Sequence, residues 1–205
     1  MNATARGLFV VFEGLDGSGK TTQLERLAAR LEAAGHAVTR TREPYDCEAG
    51  RRIRAMAQSG EAVSAEQELA WFWEQREEHV REVIEPALAD GRIVLCDRYY
   101  LSTVAYQGAR GLDAGRLLAD SEAAFPLPDL VLWLDLPVTE GLTRVDDRGG
   151  PAEPVFEDAE RLEAARGVYA SLTMSYLARV DAAGDPDEVA KRIADALRER
   201  LGLVV

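Results

Sequence analysis

Gly14-Leu-Asp-Gly-Ser-Gly19-Lys20-Thr21 has the form Gly-x-x-x-x-Gly-Lys-Ser/Thr and follows directly on the apolar run Leu8-Phe-Val-Val-Phe12. A loop of this form between a strand and a helix binds phosphate. Its glycines let the chain wrap so tightly that successive amide N–H groups point at phosphate oxygens, with the positive end of the next helix behind them. Gly14, Leu15, Asp16, Gly17, Ser18 and Gly19, with Thr22 just beyond the motif, line such a cradle. Lys20 reaches the β- and γ-phosphates of a nucleotide, and the Thr21 hydroxyl coordinates Mg2+. Lysine occurs elsewhere only at Lys191, so a Gly-Lys-Thr in register is a specific signal.

Open parallel sheets bind ligands at the carboxyl ends of their strands, so residues just past each apolar run are the next to inspect. Glu13 and Asp16 follow the first run, Arg42-Glu43-Pro44 the second, Asp97-Arg98-Tyr99 the third and Asp135 the fourth. An Asp at the position of Asp97 suits Mg2+. Arg98 beside it suits phosphate, which a planar guanidinium grips at two points. The competing reading makes Asp97 and Arg98 a surface pair at a strand end. Phe72 and Arg76 lie four apart on a helix, on one face with Leu69 and Val80. A ring and a guanidinium so placed can bracket a nucleobase, though the same spacing also writes an ordinary core stripe.

Strands and helices alternate along the chain, the pattern of an α/β fold in three layers: a mostly parallel five-stranded sheet with helices on both faces. Strands are expected at residues 8–12, 36–41, 93–96, 130–134 and 179–181. The helix opening at Lys20 carries Leu24, Leu27, Ala28 and Leu31 at helical spacing until Gly35 stops it. Further helices are expected at 51–58, from the capping box Ser64-Ala-Glu-Gln67 to Gly91 with Pro86 near the end, and at 138–147, 156–178 and 186–201. No repeat or linker divides residues 1–205, which read as one P-loop domain. Gly149-Gly150-Pro151 and Pro154 rule out continuous helix over residues 144–156, the expected mobile lid. Arg144 and Arg148, one turn apart, are its candidate donors to a transferred phosphoryl group. Alternatively they form a solvated helix end neutralised by Asp146 and Asp147.

Composition sets limits on partners. The 205 residues are 47% hydrophobic and 29% charged, globular values, and no apolar stretch approaches a membrane span. Residues 1–7 lack the apolar segment of a secretory signal, so a cytosolic enzyme is expected. Cys47 and Cys96 make neither a disulfide framework nor a metal cluster. A net charge of −12 argues against nucleic acid or an anionic membrane as partner, since either needs a basic surface.

Taken together, Phe12-Glu-Gly-Leu-Asp-Gly-Ser-Gly-Lys-Thr-Thr-Gln23, Thr41-Arg-Glu-Pro44, Phe72-x-x-x-Arg76, Asp97-Arg-Tyr99, Ser102, Ala105-Tyr-Gln-Gly108 and Pro128-Asp-Leu130 resemble the bacterial thymidylate kinases. Val180-Asp-Ala182 and Glu188-Val189 are similar to that family's adenine-side loop and last helix. The resemblance implies transfer of the ATP γ-phosphoryl group to dTMP with Mg2+, for dTTP synthesis. It assigns the acceptor's 5′-phosphate to Arg42 and Arg98, its 3′-hydroxyl to Asp16, stacking on thymine to Phe72 and thymine O4 to Arg76. Ser102, Thr103 and Gln107 stand near the base edge, and Tyr106 packs under the sugar where a 2′-hydroxyl would clash. It also implies a homodimer on the long helices, with Trp71 and Trp73 as interface or core aromatics.

This chain departs from the family's pattern twice. Tyr45-Asp46-Cys47 stands where two glycines and a threonine are usual, and Pro154-Val155 stands where Asp-Arg is expected before Phe156-Glu157. The rival readings are a kinase for another deoxynucleotide or a deoxynucleoside, and a nucleotide-dependent switch. A guanine-reading Asn-Lys-x-Asp loop is excluded because the only asparagine is Asn2.

Overall fold

The computed structural model describes residues 6–60, 63–148 and 158–204. Strand β1 (Phe9–Glu13) leads through the glycine loop into α1 (Lys20–Ala33), followed by β2 (Val38–Arg42), α2 (Glu48–Ser59) and α3 (Ala65–His79). A π-helical turn, Val80–Ile84, joins α3 to the short α4 (Glu85–Ala89). Next come β3 (Ile93–Asp97), α5 (Tyr100–Ala109), α6 (Ala114–Ala124) and β4 (Leu130–Asp135). The chain continues through α7 (Val138–Arg148), α8 (Ala159–Ser171), β5 (Leu177–Asp181) and α9 (Pro186–Leu201).

The strands lie in the order β2-β3-β1-β4-β5, and each neighbouring pair is parallel. The expectation of a mostly parallel sheet is met by one that is parallel throughout the described residues. Side chains alternate across a strand, and here they divide the core in two. Phe9, Val11, Val94, Cys96, Val131 and Trp133 face α4, α5 and α8, whereas Val10, Phe12, Leu95, Leu132 and Leu134 face α1 and α9. The register pairs Phe12 and Arg42 with Asp97, Glu13 with Trp133 and Asp135 with Asp181. The strands therefore finish level, and Glu13, Arg42, Asp97 and Asp135 emerge along one edge of the sheet.

Local chemistry accounts for the element ends. Ser64 accepts a hydrogen bond from Gln67 N at 3.2 Å, as the capping box predicts. The π turn stands just ahead of Pro86, whose missing N–H and ring bulk disrupt the regular ladder there; Glu85 N bonds Val80 O instead. The expected uninterrupted helix to Gly91 is thus three joined pieces ending at Ala89. Two other expectations are corrected. The helix expected over 156–178 ends at Ser171, and β5 begins at Leu177, because Val131 N takes Tyr176 O at 2.7 Å and draws that stretch into the sheet. Between β3 and β4, where no element was expected, lie α5 and α6, the latter capped by Asp113 on Arg116 N at 3.0 Å.

Candidate active site

The glycine loop holds Gly14, Gly17 and Gly19 at φ values of 139°, 77° and 89°, a left-handed range that side chains resist. At Gly17 space decides as well, since a Cβ would sit 2.2 Å from Gly141 O on α7. Lys20 opens α1 but turns back into the loop, and its buried Nζ donates to Leu15 O at 2.8 Å and lies 4.0 Å from Asp16 Oδ1. Burial and then the nearby Arg98 charge bring its pKa down from 10.5 to about 8. Asp16, Asp97 and Glu13 pull it back up without restoring it, and a bound phosphate would add the remaining negative charge.

Thr21 Oγ1 donates to Asp97 Oδ2 at 2.5 Å, bringing the first turn of α1 and the end of β3 together. A hydroxyl and one carboxylate make an incomplete donor set of the kind that suits Mg2+, which keeps water and phosphate oxygens for its other positions. These two residues fit the ion. Beside them Arg98 has φ 71°, a left-handed conformation that a non-glycine residue adopts at a cost. Its N–H donates to Phe12 O at 2.9 Å, and its Nη2 to Asp16 Oδ1 at 2.7 Å. Nη1 donates to Gly14 O at 3.1 Å and Ser102 Oγ at 3.0 Å, while the guanidinium lies over the Tyr106 ring. Burial works against its charge, but Asp16 and its other neighbours outweigh that and raise its pKa well above the ordinary value. The surface-pair reading of Asp97 and Arg98 fails on this geometry. Behind Arg98, the fully buried Glu13 accepts from Ser102 Oγ at 2.6 Å, Tyr169 OH at 2.7 Å and the backbone N–H groups of Tyr99 and Ser102.

Two of the cavities at this edge share a wall, and a third, about 550 Å³, opens on the outer side of Arg42 and Pro44. The larger of the two, about 530 Å³, runs from the glycine loop past Arg144 to Ala182, Pro186 and Val189. The smaller, about 160 Å³, is lined by Phe72, Ser102, Thr103, Tyr106 and Gln107, with Pro44 and Ile53 opposite. Asp16, Arg42, Glu43 and Arg98 belong to both. Arg42 is exposed, and its side chain makes no hydrogen bond or ion pair among the described residues. Arg144 lies against Gly17 O and Ala182 O and pairs with Glu140, so it ties α7 to the loop and to the turn after β5. Arg148 closes α7; its side chain, and residues 149–156 of the expected lid, lie outside the described residues.

On α3 the buried residues are Glu68, Gln75, Arg76 and His79, while Leu69 and Trp73 pack against the core beside them, so the inner face is mixed. Arg76 forks onto Glu43 with Nε–Oε2 at 3.0 Å and Nη2–Oε2 at 2.6 Å, and Nη2 also donates to Thr103 Oγ1 at 2.9 Å. Its Nη1 is buried with no hydrogen-bond partner, although Arg76 itself does not line the smaller cavity. His79 joins Glu43 through Nδ1 at 3.2 Å and Thr41 through Nε2 at 2.6 Å. Burial pushes the Glu43 carboxyl up, yet Arg76 and His79 outweigh it and hold it below the ordinary value.

Comparison with known proteins agrees with this arrangement. A family model described as thymidylate kinase matches residues 12–193. A protein of Akkermansia muciniphila named thymidylate kinase is 43% identical, over 98% of this chain and 96% of its own length. Another from Solidesulfovibrio magneticus is 46% identical over 91% and 96%, and one from Xanthomonas campestris pv. campestris 43% over 97% and 88%. The chain belongs to the thymidylate kinase family. Its five-stranded parallel sheet with helices on both faces is the α/β P-loop kinase fold of that family. The other-kinase and switch readings are not favoured by these likenesses.

Within a thymidylate kinase frame, the departures and omissions of the sequence reading have physical explanations. Tyr45, in place of the usual glycine, stacks on His79 with ring centroids 4.9 Å apart, while its N–H donates to Gln75 Oε1 at 2.7 Å. Cys47 caps α2, Sγ accepting from Gly50 N at 3.4 Å. The altered segment is thus tied back against α3 and α2. Asp129 of the Pro128-Asp-Leu130 motif accepts from Phe9 N at 2.7 Å and fixes β1 beside β4. Trp73 packs on Phe125 at 4.8 Å and belongs to the core. Glu68 and His79 carry no role in the sequence pattern, and Thr41 and Glu43 appear there only as part of the Thr41–Pro44 motif. A signal existed for Glu68, which precedes Phe72 by four residues as Phe72 precedes Arg76. For the contact between Thr41 and His79, 38 positions apart, there was none.

Proposed function

We propose that the chain transfers the γ-phosphoryl group of ATP to dTMP, giving ADP and dTDP. The observation that carries this reading is the pair of cavities with a shared wall of Asp16, Arg42, Glu43 and Arg98. A phosphate-binding loop opens into one and a buried polar pocket into the other, and two arginines stand where their anions meet.

In this reading ATP occupies the larger cavity, its phosphates on the loop amides and Lys20, its adenine toward Ala182 and Val189. Thr21 and Asp97 hold Mg2+, which offsets charge on the phosphates. The acceptor's phosphate lies between Arg42 and Arg98, its 3′-hydroxyl bonds Asp16 and its sugar rests on Tyr106. Phe72 stacks on the thymine and Arg76 Nη1 donates to O4. The acceptor phosphate is ionised at neutral pH, so no side chain need remove a proton; holding the two anions in line and neutralising their charge carries the reaction. Arg144 or Arg148 completes that neutralisation. Among the described residues no helix is long and apolar enough to cross a membrane, and we place the enzyme in the cytoplasm as a homodimer through α3, where the half-buried Trp71 sits outside the core clusters.

The test is ADP formation with ATP and Mg2+ and dTMP, dUMP, dGMP, dCMP, UMP or thymidine as acceptor. Strong preference for dTMP is expected; preference for another acceptor overturns the base-pocket assignment, and no turnover with any acceptor overturns the kinase reading.

A further inference from the structure

Glu68 lines the smaller cavity and is 1% exposed. Its Oε2 takes a hydrogen bond from Arg110 Nη1, and Arg110 is held in turn by Val63 O. Its Oε1 is buried with no hydrogen-bond partner. The neighbouring Gln107 is fully buried on the same cavity, and neither atom of its amide has a hydrogen bond of normal geometry. Burial raises the Glu68 pKa, against which Arg110 and the adjacent Gln107 amide both pull it down.

The chemistry of these groups leaves one consistent arrangement. A carboxylate paired with a guanidinium only accepts hydrogen bonds, whereas a carboxamide has a donor side and an acceptor side. The Gln107 NH2 therefore belongs toward Glu68, which turns its Oε1 toward the cavity. In the dTMP reading Arg76 Nη1, buried and without a hydrogen-bond partner just behind the cavity lining, supplies the donor. A donor beside an acceptor matches the O4 and N3–H of thymine. Cytosine reverses both, with N4–H2 where O4 stood and a bare N3 where N3–H stood, so it meets two mismatches, each leaving buried polar groups unpaired.

We propose that Glu68, anchored by Arg110, sets the orientation of the Gln107 amide and so makes the pocket select thymine over cytosine. The inference rests on the dTMP reading above. Glu68 is a positioning residue, acting through Gln107.

Glu68→Gln gives residue 68 a donor of its own, so Gln107 is free to turn and present NH2 to a cytosine N3. In the full-length protein, kcat/KM is measured for dTMP and dCMP, with the KM for ATP alongside. The expected result is a fall of roughly tenfold or more in the dTMP to dCMP ratio, the worth of one hydrogen bond with its unsatisfied penalty, and an unchanged KM for ATP. A structural role alone lowers both acceptors equally and leaves the ratio where it was; that outcome overturns the inference. Should Glu68→Gln not fold, Arg110→Met, outside the cavity, removes the cation that keeps Glu68 charged; a lowered ratio supports the inference and an unmoved one overturns it. Wild-type protein separates the two claims: if it does not prefer dTMP the base reading fails with everything built on it, whereas wild-type preference with an unmoved variant ratio sinks the Glu68 assignment alone.

Discussion

At the phosphate end of the site, Lys20, Thr21 and Arg98 already bond Leu15 O, Asp97 and Asp16, whereas at the base end Arg76 Nη1 is buried without a hydrogen-bond partner and Glu68 Oε1 and the Gln107 amide have only each other. The first end exchanges internal partners for ligand, and the second is completed by ligand. Exchange suits groups whose charge must stay poised for a transferred phosphoryl; completion suits recognition, because a buried polar atom left unpaired penalises the wrong base. Damage at the phosphate end should therefore reach every substrate, and damage at the base end one.

The largest effect belongs to Lys20. Replacing it with Met should lower kcat by about 10³-fold with any acceptor, since a charge aimed at the transferred group acts mostly in the transition state. A loss below tenfold would remove Lys20 from that position. Arg76→Lys keeps a charge against Glu43, avoiding a stranded carboxylate, but gives up the fork. We expect kcat/KM for dTMP to fall about 100-fold with KM for ATP within twofold. Equal losses for both nucleotides would mean that the two ends are not separable.

The pH dependence sharpens the same contrast. Lys20 has its pKa lowered from 10.5 to about 8. Between those values the unfolded chain binds a proton that the folded protein lacks, so this residue adds stability as pH rises through the window. Nucleotide binding runs the other way. Phosphate restores the charged form, so ATP affinity should decline above pH 8 by up to about tenfold per unit, with proton uptake on binding. Calorimetry in buffers of different ionisation enthalpy measures that uptake; none at pH 8.5 would show that Lys20 is already charged. Affinity for dTMP should show no such decline.

The two ends also differ in how far they could be read in the sequence. Every part of the loop from Gly14 to Thr22 lies within nine consecutive residues and its chemistry is local, so type and spacing sufficed. The base pocket is assembled from the ends of β2, α3 and α5. Thr41, Glu43, Arg76, His79 and Thr103 meet only because the parallel sheet ends level and α3 runs across its edge. Strands and the longer helices were legible from their apolar periods. Leu172 to Tyr176 was not, because the turn closed by Leu177 N on Met174 O and the bond from Val131 N to Tyr176 O end the helix before β5, and α5 was not, because its inner face mixes Ser102, Thr103 and Gln107 with apolar residues.

Tyr106 lies where the two ends meet, under the Arg98 guanidinium at 5.4 Å. Tyr106→Ala opens space beneath the sugar, and exclusion of a ribose monophosphate should relax by several-fold, with turnover of dTMP reduced less. Unchanged discrimination would take Tyr106 out of sugar selection and leave it as a support for Arg98.

The smallest effect tests whether the departure at residues 45–47 belongs to either end. Cys47 stands where the family usually has threonine and caps α2 with a sulfur, a weak acceptor, 3.4 Å from Gly50 N. A hydroxyl there makes the ordinary N-cap bond, and an alanine makes none. Cys47→Ser should therefore exceed Cys47→Ala in stability by about 1 kcal/mol, read from urea midpoints at equal slopes. Neither should change kcat/KM for dTMP by more than twofold, because Tyr45 and Gln75, rather than the thiol, tie this segment to the helix that carries Arg76. If the serine variant alters dTMP kinetics while leaving those of ATP alone, the first turn of α2 belongs to the base end, and the boundary between exchange and completion lies closer to the phosphates than Arg42 and Arg98 suggest.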